Sequence, residues 1–340
     1  MKKIVISLVA VLLTLSLFAF VACDKPADDN TPTSKGTLTF VMPDGTPALA
    51  AAKLLGTTEI GGYTVNAEIV AANTIQTQIG GEKADIVIAP TNAGAALIKQ
   101  GAPYKLVSVA VEGSLYLIGS PSKVGGESTI VFNDLKGKRI ASIGQNNTPD
   151  KVFKYIVDNT VGLTYDDEND TIIFEDGATA TIEWCADGPA AKVALMRENN
   201  PCDFAIVGEP AATAFGTTGG GGFSARMDLQ ALYRGIGNKM INFPQASLFV
   251  KTELTTDTEF MSALFKALED SKAWVVANPA DVVTALLQEE GSTSTFPADS
   301  ISRCSIVVTK VNNNAVKESI VTYLGLMVPA VDWTTVDLFM

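Results

Sequence analysis

The sequence contains no histidine, and this absence narrows the catalytic chemistry open to the chain. Histidine is the commonest general base, the usual partner of a nucleophilic serine or cysteine, and the usual zinc ligand. Catalysis by carboxylates or lysine remains open, but an enzyme becomes the less favoured interpretation. We expect no cofactor and no metal. The glycine run at 219–222 is read as a loop, because no Gly-Lys-Ser/Thr follows it to make a phosphate-binding loop.

Cysteine is scarce as well, with four in 340 residues. Cys23 follows an N-terminal apolar run, which leaves Cys185, Cys202 and Cys304. Cys185 and Cys202 are expected at opposite ends of two successive parallel strands, separated by about five residues at ~3.3 Å each. That separation exceeds the ~7 Å limit between the Cα atoms of a disulfide. We therefore predict no disulfide, and the sequence assigns no role to these three thiols.

Basic residues are outnumbered, with 25 Lys and Arg against 37 Asp and Glu and a formal net charge of −12. Loss of Lys2 and Lys3 with a cleaved leader would make the net charge −14. So acidic a chain is a poor partner for nucleic acid, and we expect none.

The N-terminus carries the one long apolar run, in which residues 4–21 contain no charge and follow Lys2 and Lys3. This layout is typical of an export signal. The run ends Phe20-Val21-Ala22-Cys23, which resembles the bacterial lipobox, although Leu is usual where Phe20 stands. The resemblance implies removal of residues 1–22 and a lipid on Cys23. The alternative is an uncleaved anchor helix, and both place residues 24–340 outside the cytoplasm.

The segment after Cys23 is polar and rich in Asp, Thr and Pro up to residue 36, so it is expected to be a disordered tether. A flexible chain of this length has an end-to-end distance of roughly 20 Å. The 318 residues left after removal of 1–22 are enough for two ordinary domains.

Strand-like and helix-like runs alternate along the remaining chain, and one order occurs twice. Each copy is a strand, a turn ending in Thr-Pro, and a helix; Thr is expected as the N-cap and Pro as the first helical residue. The copies are 37–42, Asp44-Gly45-Thr46-Pro47 and 48–55, then 140–143, Gln145-Asn146-Asn147-Thr148-Pro149 and 150–158.

A second repeat matches 84–90 with 202–210, and each copy is predicted to be a buried strand that leads into the start of a helix. The two repeats predict an α/β fold with two lobes of like construction, each a mostly parallel sheet flanked by helices. The acidic segment 165–170 is expected to be a solvated loop.

The C-terminal part predicts a strand at 246–250 and helices at 257–277, 279–291 and 314–324. These helices need a sheet to cover, so the part is assigned to the first lobe. The predicted domains are a signal at 1–22, a tether at 23–36, lobe 1 at 37–121 with 245–340, and lobe 2 at 122–244.

Several motifs in this order resemble those of bacterial ABC-transporter substrate-binding lipoproteins, which are type II periplasmic binding proteins. The most similar group takes up nitrate, sulfonates, taurine and thiamine-precursor pyrimidines. The motifs are Ala-Asp-Ile-Val-Ile-Ala-Pro-Thr-Asn (84–92), Asp-Leu-Lys-Gly-Lys-Arg-Ile (134–140), Gln145 with Thr148-Pro149, Gly-Glu-Pro (208–210) and Ser-Arg-Cys-Ser-Ile-Val (302–307).

The resemblance implies a small-molecule ligand, an ABC permease as partner, membrane contact through the lipid, a monomer, and an extracytoplasmic location on the cell membrane. It also implies two crossovers between the lobes, which we place near 119–123 and 243–245. An enzyme related to pyrimidine synthases is a rival, but that reaction consumes a histidine and needs lysine-bound pyridoxal phosphate. A surface sensor or adhesin with the same fold is a second rival.

Ligands of open α/β sheets bind beyond the carboxyl ends of the strands, where helices begin. The turns at these ends, and the crossover segments around Glu112, supply the candidate contacts. The candidates are Asp44, Gly45, Thr46, Thr91, Asn92, Gly113, Gln145, Asn146, Asn147, Thr148, Glu209, Phe243 and Gln245.

Each candidate has a structural alternative. Thr46, Asn92 and Thr148 could simply cap helices, and we expect at least one of them to do so. Glu209 could be a surface residue favoured by a helix N-terminus, and Phe243, like Trp184, could belong to the core.

The predicted turns contain no Lys or Arg, so a multiply charged anion would depend on backbone amides alone. Asp44 and Glu209 would oppose an anion. The sequence therefore favours a neutral or cationic ligand, such as an aminopyrimidine or a small amine. Arg226, Arg234 or Lys239 would change this expectation if their loops reached the cleft.

Overall fold

The computed structural model describes residues 34–217, 219–237, 239–292 and 295–340. The predicted export signal, Cys23 and most of the predicted tether lie outside the described residues. Among the helices of the described ranges, none combines the length and the apolar character needed to span a bilayer.

The described residues form two seven-stranded sheets with helices on their faces. The strands are β1 (Thr37–Pro43), β2 (Gly56–Ile60), β3 (Tyr63–Val70), β4 (Ile86–Pro90), β5 (Tyr104–Glu112), β6 (Leu115–Gly119), β7 (Arg139–Ile143), β8 (Leu163–Asp166), β9 (Thr171–Phe174), β10 (Thr179–Cys185), β11 (Phe204–Gly208), β12 (Ala225–Asp228), β13 (Pro244–Lys251) and β14 (Ile306–Lys310). The α-helices are α1 (Thr46–Ala50), α2 (Ile75–Gly80), α3 (Thr91–Lys99), α4 (Thr148–Asp158), α5 (Gly188–Met196), α6 (Ala211–Gly216), α7 (Leu229–Gly235), α8 (Thr258–Ala277), α9 (Pro279–Gln288) and α10 (Asn314–Met327). Short 3₁₀ segments lie at Ala52–Leu54, Pro121–Val124, Phe132–Leu135, Leu254–Thr256, Ala298–Arg303 and Trp333–Thr335.

The first sheet has the strand order β14-β5-β13-β4-β1-β3-β2, and the second has β12-β6-β11-β7-β10-β9-β8. We call each sheet with its covering helices a lobe, so that the first sheet belongs to lobe 1 and the second to lobe 2. This two-lobed α/β architecture confirms the predicted fold class. Three neighbouring strands of each sheet are parallel, and the flanking pairs are antiparallel. The sheets are therefore mixed rather than mostly parallel, because hairpins and returning strands extend both sides of the parallel centre.

The hydrophobic core reflects this layering. On one face of the first sheet, Ala48, Phe260 and Val282 bring α1, α8 and α9 into a core of their own. On one face of the second sheet, α5 and α6 do the same through small residues such as Ala191 and Ala212. The remaining faces of both sheets share a single apolar cluster, to which α2, α3, α4, α7 and α10 contribute. The two lobes are therefore joined by buried apolar surface.

The repeated strand–turn–helix order is present in both lobes, but the predicted capping is wrong. Thr46 and Thr148 are the first helical residues of α1 and α4, so Gly45 and Asn147 occupy the cap positions. The cap of α3 is Pro90, and none of these three helix starts has a side-chain cap hydrogen bond. The hydroxyls of both threonines are thereby left for other contacts.

The first helical segment is also shorter than predicted. Instead of a helix over 48–55, α1 ends at Ala50 and a 3₁₀ turn covers Ala52–Leu54. The acidic segment 165–170 is likewise not simply a loop. Its first two residues end β8 and its remainder is the turn of the β8–β9 hairpin, in which Tyr165 is buried.

The first crossover lies at Gly113–Ser114, earlier than the predicted 119–123, because β6 pairs with β11 and β12 in the second sheet. Lobe 2 therefore begins near residue 114 rather than at 122. The second crossover precedes β13, near the predicted place, and the Gly113 amide donates to the Phe243 carbonyl at 2.9 Å. A Cβ at Gly113 would lie 1.8 Å from the Phe243 ring, so glycine is needed where the crossovers meet.

The three cysteines within the described ranges are free. Cys185 ends β10 and Cys202 precedes β11, two strands that flank β7 and run parallel to it. Burial raises the pKa of the Cys202 thiol to about 11.

Candidate functional site

A cavity of about 320 Å³ lies where strands of both sheets end and their helices begin. Its walls include the ends of β4, β7 and β11 and the starts of α1, α3 and α4. This is the position at which open α/β sheets bind ligands, and the volume is within the range of small-molecule sites. The lining residues are Pro47, Pro90, Asn92, Ser114, Leu115, Ile143, Thr148, Pro149, Gly208, Glu209, Gln245 and Ala246.

The cavity wall is an apolar frame that carries a few neutral polar groups. Three prolines, Leu115, Ile143 and Ala246 supply the apolar surface, and Asn92, Ser114, Thr148 and Gln245 supply amides and hydroxyls. A few placed polar groups in a mainly apolar pocket are typical of sites that orient a small organic molecule.

Prolines occupy the same place at two of the helix starts that face the cavity. Pro47 is the second residue of α1, and Pro149 is the second residue of α4. Proline has no backbone N–H, so each substitutes an apolar ring for a donor. These helix starts consequently offer fewer amides to an anion than an ordinary helix N-terminus would.

Glu209 lines the cavity but is not a surface residue, because its side chain is fully buried in an ion-pair cluster. Its carboxylate accepts hydrogen bonds from the Thr213 amide at 3.0 Å and the Thr213 hydroxyl at 2.9 Å. It is also paired with Arg226 Nη1 at 2.9 Å and Arg303 Nε at 3.0 Å. Two guanidinium groups thus offset one carboxylate at the cavity wall.

The thiol of Cys304, next to Arg303 in the chain, is also buried near this cluster. Burial, together with the nearby Glu209 carboxylate, raises the pKa of the Cys304 thiol to about 12. The thiol is therefore neutral at physiological pH, and reaction through a thiolate is disfavoured.

Thr148 connects the cavity to the C-terminal helix. Its hydroxyl lies 3.1 Å from the Tyr323 hydroxyl on α10, and the Lys151 ammonium donates to the Met327 carbonyl at 2.6 Å. Burial raises the pKa of Tyr323 to about 12, so its hydroxyl stays protonated. Because α10 packs against both α3 and α4, these contacts tie one cavity wall to helices of both lobes.

The structure brings four of the thirteen predicted contacts together in this cavity: Asn92, Thr148, Glu209 and Gln245. Gln145 and Asn147 instead line a separate recess beside Trp184 and Cys185.

The other predicted contacts are engaged elsewhere. Thr91 is fully buried and its hydroxyl lies 2.8 Å from that of Ser247. Phe243 is a core residue, with its ring between Tyr233 and Tyr323 and against Gly113. Of the remaining four, Asp44 accepts from the Gly45 amide and from the Ser292 hydroxyl of a distant segment, Thr46 is buried, and the Asn146 amide donates to Asp150.

Sequence reasoning missed several lining residues and one of the arginines. Ser114 and Leu115 were missed because the first crossover was placed too late. Arg226 was left open and does reach Glu209, whereas Lys239 bonds the Tyr155 hydroxyl at 2.9 Å. Arg234 is exposed. Arg303 had no recognised role, although it lies in the Ser-Arg-Cys motif at 302–304.

Comparison with solved structures finds the same fold in substrate-binding proteins. A protein described as an ABC transporter from Parabacteroides distasonis is 18% identical with a TM-score of 0.62, covering 88% of this chain and 95% of that one. The periplasmic aliphatic sulphonate binding protein SsuA from Escherichia coli is 14% identical with a TM-score of 0.58, covering 87% and 93%. The ligand binding component of an ABC-type import system from Staphylococcus aureus is 10% identical with a TM-score of 0.52, covering 85% and 91%.

At these identities the likeness shows the fold, which is the two-lobed fold of periplasmic binding proteins, in agreement with the resemblance seen in the sequence motifs. No protein-family model matches the sequence, and no curated protein matches it.

Proposed function

We propose that this chain is an extracytoplasmic solute-binding protein that captures a small organic molecule between its lobes and delivers it to the permease of an ABC importer. The observation that carries the proposal is the cavity built from both lobes at the ends of their strands. The shared fold with the neighbours above supports it, and so does the order of motifs along the chain.

The chemistry of the cavity favours binding over catalysis. Among the lining residues that the structure describes, Glu209 is the one ionisable side chain. Its carboxylate is held by Thr213, Arg226 and Arg303, so it is poorly placed to act as a general base. The pyrimidine-synthase alternative also lacks its histidine, since the sequence has none.

The ligand we propose is a neutral molecule with hydrogen-bonding groups, such as an aminopyrimidine. Neutral amides and hydroxyls dominate the polar wall, and Pro47 and Pro149 remove two donors that an anion would use. Because Glu209 is paired with two arginines, its carboxylate gives less reason to expect a cationic ligand than the sequence alone did. The name of the Escherichia coli neighbour makes an aliphatic sulfonate the ligand class against which this proposal must be tested.

A thermal-shift panel tests the ligand class directly. Neutral pyrimidines, primary amines, taurine, sulfate, phosphate and nitrate are compared at equal concentration on the protein without residues 1–22. At equal concentration, a compound that binds more tightly raises the unfolding temperature more, and we expect neutral heterocycles to give the largest rise. A larger rise with taurine or the inorganic anions would refute the proposed ligand chemistry while leaving solute binding intact.

We also propose that Cys23 carries a lipid and anchors the protein to the membrane, with residues 24–36 as tether. The support is the Val21-Ala22-Cys23 ending and the polar segment after it. Mass spectrometry of the membrane fraction should show a modified Cys23 at the new N-terminus, and Cys23→Ser should abolish the modification. An unmodified cysteine behind an intact leader would disprove the anchor.

Binding across the lobes is proposed to shift the protein towards a closed arrangement. A ligand that touches Asn92 in lobe 1 and Thr148 in lobe 2 gains all of its contacts only when the lobes are closed, so its differential affinity drives closure. Small-angle scattering should then give a smaller radius of gyration with the compound that stabilises the protein most. An unchanged radius with a tightly bound compound would contradict ligand-driven closure.

A further inference from the structure

Arg303 belongs by its backbone to lobe 1. It is the last residue of the 3₁₀ segment Ala298–Arg303, which leads into β14 of the first sheet. Ile301 and Cys304 on either side of it are buried in the core between that sheet and α8. The position of Arg303 is therefore fixed to the first lobe.

The guanidinium group of Arg303 makes its contacts in lobe 2. Its Nε donates to Glu209 Oε1 at 3.0 Å, and its Nη2 donates to the Thr213 hydroxyl at 2.5 Å. Glu209 follows β11 of the second sheet, and Thr213 lies on α6, which packs on that sheet. The ion pair thus crosses from one lobe to the other beside the cavity that Glu209 lines.

The second arginine of the cluster stays within lobe 2. Arg226 lies on β12 of the second sheet and also donates to the Ala212 carbonyl at 3.1 Å. A buried carboxylate that loses its only partner is strongly destabilising. Here Glu209 would keep Arg226 and Thr213 when Arg303 departs, so the cross-lobe contact can break without leaving a bare buried charge.

The exposure of the two arginines also indicates that Arg303 is the partner that can separate from Glu209. The Arg303 side chain is 36% exposed, against 23% for Arg226, and the Glu209 side chain is fully buried. Water can therefore replace the lobe 2 partners of Arg303 more readily than it can reach the carboxylate itself. This combination suits one permanent partner and one reversible partner.

We propose that Arg303 is a cross-lobe positioning residue: it pairs with Glu209 and Thr213 when the lobes are closed and releases them when the lobes open. Its role is to stabilise the closed arrangement and to hold Glu209 in the cavity wall, while Arg226 neutralises Glu209 in both arrangements. The inference rests on the proposed solute-binding function for its biological meaning, but its structural part can be tested without any ligand.

The test compares Arg303→Gln with two matched variants. Arg226→Gln removes the same charge from the same carboxylate but leaves the cross-lobe contact. Lys310→Gln removes a charge of similar exposure on β14, where the ion pair with Glu269 stays inside lobe 1. Small-angle scattering of each protein without added compound should show a larger radius of gyration for Arg303→Gln alone.

Affinity provides the second readout, with the panel compound that gives the largest thermal shift. Because a closed state that is less populated lowers the apparent affinity, Arg303→Gln should weaken binding roughly three- to tenfold. Arg303→Lys should restore part of the loss, since an ammonium keeps the charge but cannot donate in the same fork to Glu209 and Thr213.

The outcomes separate the inference from the proposed function. If Arg303→Gln has the same radius as wild type and Lys310→Gln, the cross-lobe role is wrong, whatever the protein binds. If no panel compound binds but the radius of Arg303→Gln increases, the positioning role stands and the proposed ligand class fails. If Arg226→Gln increases the radius as much as Arg303→Gln does, loss of the cluster rather than of the cross-lobe contact is responsible, and the assignment of roles is overturned.

Discussion

The α10 contact and the Arg303 contact both connect the two lobes, but they use different chemistry. At α10, the fully buried Tyr323 and Leu324 belong to the apolar cluster shared by both sheets. At Arg303, the guanidinium of a side chain that is 36% exposed reaches across to Glu209 and Thr213. The cavity adjoins both, since Thr148 bonds Tyr323 and Glu209 bonds Arg303.

The difference indicates which contact can open. Separating the α10 contact would expose apolar surface at a cost of about 25 cal/mol for each Å², and this penalty grows with every side chain uncovered. The Arg303 contact exchanges hydrogen bonds with protein for hydrogen bonds with water, so its net contribution is small. We therefore expect the lobes to stay joined at α10 and the crossovers and to separate at Arg303.

The largest predicted effect tests the apolar contact. Leu324 is fully buried, so Leu324→Ala removes packed methyl groups and should lower the free energy of unfolding by about 2–5 kcal/mol. Urea denaturation of the lipid-free protein measures the change. Leu287→Ala is the control, because Leu287 on α9 is 50% exposed and the same substitution there should change stability by less than about 0.5 kcal/mol. Equal effects of the two substitutions would show that the packing of α10 contributes no more stability than an exposed side chain does.

A smaller effect is expected at the hydrogen bond between Thr148 and Tyr323. Thr148→Val keeps the side-chain shape but leaves the buried Tyr323 hydroxyl without this partner, which should cost about 1–3 kcal/mol of unfolding free energy. The control is Thr322→Val on the same helix, where the threonine is exposed and bonds the Glu318 carbonyl. If both variants unfold at the same urea concentration, the cross-lobe hydrogen bond contributes nothing measurable.

The smallest predicted effect depends on pH and concerns the crossovers. Glu112 ends β5 and accepts a hydrogen bond from Asn242 at 2.7 Å. Burial raises the pKa of Glu112, and the bond from Asn242 only partly opposes this. A carboxyl whose pKa is higher in the folded state stabilises the fold below its unfolded pKa and loses that contribution as pH rises through its folded pKa.

Glu112→Gln removes the ionisation and keeps an oxygen for Asn242. Glu112→Gln should therefore be more stable than wild type at pH 7. Near pH 4 this difference in stability should disappear. Thermal unfolding at a series of pH values measures the difference. If wild type instead gained stability over Glu112→Gln as pH rises from 4 to 7, the raised pKa of Glu112 would be contradicted.

The parts of the fold that the sequence predicted are local in the chain. The repeated turns at 44–47 and 145–149 combine glycine, asparagine, threonine and proline within a few residues, so strand ends and helix starts can be placed from neighbouring positions alone. Asn92, Thr148, Glu209 and Gln245 lie at such ends, and the structure brings these four to one cavity.

The parts that were missed depend on contacts between distant residues. The runs 104–112 and 115–119 look like one hairpin, and only pairing with β11 and β12 assigns the second run to the other sheet. Arg303 and Glu209 are 94 residues apart, and no periodicity or spacing links them. The predicted caps were wrong for a different reason. In α1 and α4 the proline is the second helical residue, so the threonine before it is the first helical residue and the caps are Gly45 and Asn147.

The central claim, that a small molecule binds in the cavity between the lobes, is tested most directly by filling that cavity. Gly208 lines it, and a Cβ there would meet nothing closer than 3.7 Å, so Gly208→Leu places a side chain in the cavity without backbone conflict. The control is Gly235→Leu, where a Cβ meets nothing within 4 Å and which lies outside the lining residues. Calorimetric titration with the panel compound of largest thermal shift should show binding to wild type and Gly235→Leu but none to Gly208→Leu. Unchanged affinity in a folded Gly208→Leu protein would place the binding site elsewhere.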